Sequence, residues 1–583
     1  MALNIQNPPD TLPDVDPSVA QEAVELAAKL LEKADSVQTD AEETQGAKLA
    51  RMMNDPDGKA LTMQLSDQAF RSHDPARVAS QIDHLLNQYS VPNYFEKWEQ
   101  LALALGTQVA KFLPAMVIPM IVERIRQETN NVILPAEKSK FRSYLHKRRA
   151  TGTRLNINQL GEAILGEGEA GRRLEKYMDL LANPDVEYIS IKISSIFSQI
   201  HMVAYDYTIE RIKDILRQLY RQAMKYNYTH PDGRQTAKFI NLDMEEYRDL
   251  HLTVDAFIQV LDEDEFKNYR AGIVLQAYLP DSAQVQRDLT TWAMKRVENG
   301  GAPIKLRIVK GANLAMEQVE ASIHGWEQAP YPTKADVDAN YKRMVTYGMV
   351  EERAKAVNLG IASHNLFDVS YAMILRDKNG LEEYVEFEML EGMANHQART
   401  VQEKAGGLLL YAPIVSKDDF HSAIAYLVRR LDENTAEENF LHDLFGMTVG
   451  SREWKKQRDL FLQAFENMQT VSDAPRRQQN RQTEQIHIDP EAPFDNVADT
   501  DFSLRANQEW VKNIVEAYKD KVFETIPLQI NGEEIVTDST GDGHDPAQPD
   551  SIAYHYSMAT PEQINQALDT AVKAQVDWNN RPI

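Results

Sequence analysis

The sequence contains no cysteine, which excludes disulfides, thiolate metal sites and every mechanism that needs a cysteine nucleophile. Positive charge is scarce beside negative: 63 Lys and Arg stand against 88 Asp and Glu, a formal net charge of -25. Such a chain is repelled by a phosphate backbone, so no nucleic-acid partner is expected. Long hydrophobic runs are missing too. The longest, Phe112 to Val122, is interrupted by Pro114 and Pro119, falls short of the roughly 20 residues of a membrane span, and reads as a core helix. The start, MALNIQNPPDTLPDVDPS, has neither a basic segment nor an apolar stretch, so no export or import signal is expected and the cytoplasm is the default location. The histidines form no H-E-x-x-H and no cluster with carboxylates at ligand spacing, so no metal centre is expected.

What is present is an ordinary globular composition, 43% apolar and 26% charged, in a chain of 583 residues, long enough for more than one folded unit. Residues 1–150 read as a helical N-terminal region. Pro17-Ser18 opens a segment with Val19, Val24, Ala27, Leu30 and Leu31 near helical spacing. From Thr151 the texture changes to short β-rich runs alternating with helical stretches, the pattern of βα units on a parallel sheet. Eight runs qualify: RLNINQLG from Arg154, YISIKIS from Tyr188, KFINLDM from Lys238, GIVLQAYL from Gly272, IKLRIVKG from Ile304, GIASHN from Gly360, YVEFEML from Tyr384 and LLLYAP from Leu408. They occupy about 250 residues, the size of a (β/α)8 barrel, whose active site is built where the strands end. An open doubly wound sheet is the alternative. Residues 471–500, rich in Gln, Asp, Arg and Pro, read as a linker. Beyond it, Asn531-Gly532 in IPLQINGEEIV signals a tight hairpin, and Thr560, Pro561 and Gln563 supply an N-cap, a first-turn proline and a capping-box partner for a helix reaching Trp578.

GEGEAG at Gly166 to Gly171 matches a dinucleotide-binding pattern, but its two glutamates would face pyrophosphate and helix-like sequence follows at once. In AYLVRRLDEN, Tyr426, Arg429, Arg430 and Glu433 fall on one helical face. Arginine forks bind carboxylates, with Glu433 spaced to brace them; a solvated, ion-paired surface is the alternative. Lys192 points opposite to Ile191 and Ile193, to solvent or to the barrel mouth. IKLRIVKGANL places Arg307, Lys310 and Gly311 where a strand would end, suited to an anionic or electron-accepting group.

Taken together, QLGEAIL, ISIKISS, INLDMEE, IVLQAYL, LRIVKGAN, ASHN, EFEMLEGM, YAP and AYLVRRLDEN, in order from Gln159 to Asn434, resemble the proline dehydrogenase part of the proline utilization A family. The resemblance implies an α/β fold, a distorted (β/α)8 TIM-like barrel at 151–470 holding FAD at the carboxyl ends of its strands, after the helical region and before a short C-terminal α+β stub. It implies FAD-dependent oxidation of L-proline to Δ1-pyrroline-5-carboxylate by hydride transfer, with electrons passed to a membrane quinone. It also implies that Lys192, Arg429 and Arg430 bind the proline carboxylate, that Tyr411, Tyr426 and Leu390 enclose the ring, that Asp243 orders the site and that Glu433 braces the arginines. The resemblance further implies that Gln276, Arg307, Val309, Lys310, Gly311 and His364 surround FAD, with Arg307 near the reducible nitrogen.

A cytoplasmic enzyme, peripheral at the inner face of the membrane, follows as an expectation, with homo-oligomer formation open. Two departures stand out: Asn313-Leu314 replaces an aromatic pair after the VKGA-type motif, and the glycine-rich motif reads Leu390-Glu391-Gly392-Met393-Ala394. Residues 501–583 resemble the incomplete start of an aldehyde dehydrogenase domain, which would bring NAD only if a full domain followed. Without cysteine that second activity is not expected here, whether the chain is a fragment or naturally truncated.

Overall fold

The computed structural model describes residues 11–582 except 54, 70, 71, 73, 95, 96, 98, 99, 101, 102, 104, 105, 107, 108, 111, 131, 162, 163, 165, 418, 421, 422, 424, 425, 427–429, 431–438, 445, 486–490, 492, 495, 520 and 522. The chain divides into two compact units, Met1–Asn480 with Glu484–Leu504, and Arg481–Thr483 with Arg505–Ile583.

The first unit is built on eight parallel strands: β1 (Arg154–Gln159), β2 (Tyr188–Lys192), β3 (Phe239–Asp243), β4 (Gly272–Gln276), β5 (Ile304–Val309), β6 (Val357–Ala362), β7 (Val385–Leu390) and β8 (Leu409–Val415). All eight expected runs are strands; only β6 begins earlier than its run, at Val357. Each strand pairs with its sequence neighbour, and β8 pairs with β1 from Leu409↔Arg154 to Ile414↔Gln159, closing the barrel. Closure leaves no open edge, which rules out the doubly wound alternative. Leu134–Pro135 adds a short parallel pairing to the end of β8.

Outward side chains such as Ile189, Ile191, Ile240, Leu242, Ile273, Leu275, Leu306 and Ile308 are buried under the surrounding helices. Strands buried this way need β-branched and leucine side chains on the helix-facing side. The helix Ser18–Ser36 buries Val19, Val24, Ala27, Leu30 and Leu31, as their spacing predicts, and packs on helices Leu366–Lys378 and Asn395–Ala405. GEGEAG opens the helix Glu167–Ala182, with Gly166 at its N-cap.

The run around Phe112 departs from its reading as a core helix. Helix Pro114–Thr129 buries Ile118, but Phe112 (83% exposed), Met116 (62%) and Met120 (68%) lie on a solvent-facing stripe. Apolar residues on every side cannot all face one core, so only one stripe is covered. Among the described residues, no helix is long and apolar enough to cross a membrane.

The segment expected as a linker is fastened to the barrel unit over part of its length. Tyr331 donates its hydroxyl to the Ser472 carbonyl, Arg287 pairs with Asp473 at 2.7 Å, and Arg477 lies 5.0 Å from the Tyr247 ring centre and 4.8 Å from that of Trp326.

In the second unit, strands Leu528–Ile530 and Glu533–Ile535 form the expected hairpin across Asn531 (φ 55) and Gly532 (φ 80), the left-handed pair that a two-residue type I′ turn requires. A longer hairpin joins Thr540–Asp545 to Gln548–Ser557. Helix Pro561–Asn579 starts with the full capping box of Thr560 and Gln563.

Candidate active site

The barrel interior is polar. β5 is bonded only to β4 and β6, so when Arg307 reaches both Asp243 on β3 and Glu388 on β7 it does so across the lumen. Asn156 donates to Ser190 at 3.0 Å, Ser190 to Asp243 Oδ1 at 2.9 Å and Asn241 to the same oxygen at 3.0 Å. Room for these groups comes from glycine on neighbouring strands. A Cβ at Gly360 would stand 2.2 Å from Glu388 Oε1, and one at Gly272 would stand 2.4 Å from Asn241 Oδ1.

Asp243, the last residue of β3, joins the lumen to its mouth. Its Oδ1 also accepts from Arg307 Nη1 at 2.9 Å, and its Oδ2 accepts from the Tyr411 hydroxyl at 2.8 Å. Arg307 donates Nε to Glu388 at 2.7 Å and lies 5.2 Å from the Tyr411 ring centre, while its Nη2 is buried without a partner. Burial opposes the charge of Arg307, but Glu388 and Asp243 outweigh it and hold the guanidinium above its ordinary pKa. Burial first, then the Asp243 carboxylate, pushes the Tyr411 hydroxyl well above its usual range, so it remains a donor.

Around Asp243 stand the ends of the other strands. Lys192 closes β2 and pairs with Glu245 at 2.5 Å; Ser194 donates to the same carboxylate. Gln276 closes β4, its amide nitrogen donating to the Glu245 carbonyl at 3.2 Å, its Oε1 buried without a partner. Val309 closes β5, and the carbonyls of Val309 and Lys310 accept from the Ala277 and Tyr278 amides at 2.8 and 2.7 Å. Gly311 has φ +123, and a Cβ there would lie 2.5 Å from the Tyr278 ring, so only glycine permits this approach of the two loops. Lys310 is held by Asp338 at 2.6 Å and Asp368 at 2.7 Å. Burial works against its charge, yet the two carboxylates raise its pKa.

His364 follows β6. Its Nε2 accepts the amide of Leu390, the last residue of β7, at 3.0 Å, while Nδ1 is buried without a partner. Accepting at Nε2 places the ring proton on Nδ1. Burial, then the nearby positive charge of Arg430, lowers the His364 pKa to about 4, so the ring is neutral. The Arg430 guanidinium carbon lies 5.1 Å from the ring centre of Tyr426, which is buried with Leu160, Val415 and Phe420. Arg429 and Glu433 lie outside the described residues.

Lys192, Asp243, Gln276, Val309, Lys310, Gly311, His364 and Leu390 thus lie at or just beyond the carboxyl ends of six strands, with Arg307 two residues before the end of β5 and Tyr411, on β8, in register with Leu390. The departures have local partners. Glu391 is paired with Arg148, and Asn313, at the N-cap position of helix Leu314–His324 but making no side-chain cap bond, donates its amide to the Glu245 carbonyl at 2.8 Å. Sequence reasoning missed Glu245, Lys305, Glu386 and Glu388. Alternation of charged and apolar residues in IKLRIV and VEFEML was the available signal, but it reads equally as a strand with one solvent face.

The profile of the family described as proline dehydrogenase matches residues 141–443, just over half of the chain. The bifunctional protein PutA of Escherichia coli strain K12 is 26% identical over 471 residues, 75% of this chain but 32% of the relative. A structure of proline utilization A from Corynebacterium freiburgense shares 40% identity with a TM-score of 0.57, covering 70% of this chain and 38% of that one. One from Bdellovibrio bacteriovorus, inactivated by N-propargylglycine, shares 27% identity with a TM-score of 0.74, covering 97% and 55%. The chain therefore spans about a third of the length of the curated E. coli relative it matches. With the profile running from the helix before β1 to beyond β8, over the barrel whose mouth gathers these side chains, the chain belongs to the proline dehydrogenase family.

Proposed function

We propose that this chain binds FAD at the carboxyl end of the barrel and oxidises L-proline to Δ1-pyrroline-5-carboxylate. The observation that carries the reading is the set of buried, unsatisfied polar atoms that converge there from three strands: Arg307 Nη2, Gln276 Oε1 and the Nδ1 proton of His364. A buried polar group without a partner costs about 1–3 kcal/mol, and donors and acceptors of this kind suit the polar rim of a flavin. The close backbone approach at Gly311 and the cation of Lys310 suit its phosphates.

Bound FAD supplies the hydride acceptor for the ring carbon next to the proline nitrogen. Everything else falls to the chain's own side chains. Lys192, Arg430 and Arg429 clamp the carboxylate and fix the ring's orientation. Glu245 holds the Lys192 ammonium at the mouth. Leu390, Tyr411 and Tyr426 form the apolar wall that excludes water, with Glu433 bracing the arginines. Asp243 fixes Tyr411 and Arg307 relative to one another, and Arg307 presents positive charge where electron density arrives. A quinone at a membrane surface would be the final electron acceptor. The thiolate chemistry of an aldehyde dehydrogenase is not proposed for these 583 residues, which contain no cysteine.

The test is anaerobic. The purified chain, supplied with FAD, is expected to show flavin absorbance that bleaches on addition of L-proline. Flavin indifferent to proline would overturn the substrate, and a chain unable to retain FAD would overturn the whole reading.

A further inference from the structure

The lumen holds a ladder of alternating charges. Starting from the amino end of the strands, Arg154 on β1 pairs with Glu386 on β7, which pairs with Lys305 on β5 at 2.6 Å. Lys305 also pairs with Glu388 at 2.6 Å, Glu388 with Arg307 at 2.7 Å and Arg307 with Asp243 at 2.9 Å. Barrel interiors of this class are ordinarily filled by bulky apolar side chains. Buried ion pairs seldom stabilise a fold more than apolar replacements of the same volume, because each ion loses its hydration. Stability alone does not account for the ladder.

Its geometry does one thing an apolar core would not. Arg307 is gripped on two of its three nitrogens, leaving Nη2 for a ligand. Glu388, which grips it from across the lumen, is itself fixed by Lys305 and fills the space left by Gly360. The Arg307 cation reaches the mouth already part-neutralised by Glu388, and Lys305 in turn part-neutralises Glu388.

We propose that Glu388, two residues short of the end of β7, and Lys305, four short of the end of β5, are positioning residues that set the electrostatic strength of Arg307 and through it the reduction potential of the bound flavin. This rests on the reading that FAD binds at the mouth. The two act with opposite sign. Removing the negative charge of Glu388 leaves the site more positive, favouring the reduced flavin. Removing the positive charge of Lys305 leaves Glu386 and Glu388 less compensated, favouring the oxidised flavin.

The experiment uses the full chain carrying FAD, with Glu388→Gln and Lys305→Met, and reads two quantities that do not involve turnover. These are the midpoint potential and the dissociation constant of sulfite, which adds reversibly to oxidised flavin and binds tighter in more positive surroundings. Glu388→Gln is expected to raise the potential and tighten sulfite about tenfold, and Lys305→Met to lower the potential and weaken sulfite by a similar factor. A merely structural role would move both variants in the same direction. Shifts of the same sign, or none with flavin bound in all three proteins, overturn the inference while leaving the functional reading intact. A wild-type chain that takes up no FAD overturns both. Should Glu388→Gln not hold flavin, Glu386→Gln removes a negative charge one step further down with the same expected sign.

Discussion

Gly360→Ala is the sharpest probe of the polar lumen because its sign is at stake. Gly360 lies inside β6 and needs no left-handed backbone. In a strand interior with space to spare, alanine would stabilise by about 0.5–1 kcal/mol through the lower entropy of the unfolded chain. Here the new Cβ would stand 2.2 Å from Glu388 Oε1 and 2.9 Å from Lys305 Cε. Ordinary contact needs about 3.4 Å, so Glu388 must retreat by more than an ångström, out of its 2.6 Å pairing with Lys305. Overpacking a core costs about 1–3 kcal/mol, and breaking a buried ion pair about 3–5 kcal/mol. The two costs overlap, because the retreat that relieves the overpacking is what breaks the pair; the larger cost less the alanine gain leaves an expected net loss of about 2–4.5 kcal/mol. Urea unfolding of the variant checks it as a lowered midpoint. In a Glu388→Ala background, where the collision with the carboxylate is absent and only the flexible end of Lys305 must shift, the same substitution is expected to be neutral or stabilising. A Gly360→Ala protein as stable as the parent, or effects that add independently of Glu388, would refute this account of the lumen.

Two further expectations follow from the same geometry. Tyr411→Phe removes the 2.8 Å bond to Asp243; hydrogen bonds to charged groups contribute about 1.5–3 kcal/mol, so stopped-flow reduction by proline is expected to slow about tenfold or more, and an unchanged rate would detach Tyr411 from the site. Asp249, in the first turn of helix Asp249–Leu261, has its pKa raised to about 7 by burial and then by Glu246. The folded state therefore holds a proton that the unfolded chain releases from about pH 4 upward, so this contribution is present at low pH and lost as pH rises through 7. Asp249→Asn is expected to raise the melting temperature at pH 8 and leave it nearly unchanged at pH 4; no gain at pH 8 would contradict the burial.

The barrel strands were legible because parallel strands covered by helices must be rich in Ile, Val and Leu, as in YISIK, FINLD and GIVLQ. The mouth was legible because polar residues that close such strands, Lys192, Asp243 and Gln276, have few other places to be. Pairings across the lumen were not. Nothing local says that Glu388 meets Arg307, 81 residues away in sequence, since that proximity is created only by closure. Lys310 shows the same limit: its partners Asp338 and Asp368 come from separate helices, and each sequence neighbourhood looks like an ordinary helix start. The stripe at Phe112, Met116 and Met120 was misjudged for another reason, because hydrophobic character alone does not say which face of a helix meets a neighbour.

The anchored segment after the barrel changes what counts as the wall of the site. Arg477 lies against Tyr247, two residues beyond Glu245, and the Tyr247 amide donates to Glu317 at 2.7 Å. Arg477 is also 3.4 Å from Asp501, where the chain comes back across the same surface. The polypeptide leaving the barrel is therefore a buttress for the loop that holds Lys192 in place. A nick or an insertion near residues 472–480 would be felt at the mouth before it was felt in the core, and a boundary drawn at the end of the last barrel helix would cut away part of the masonry.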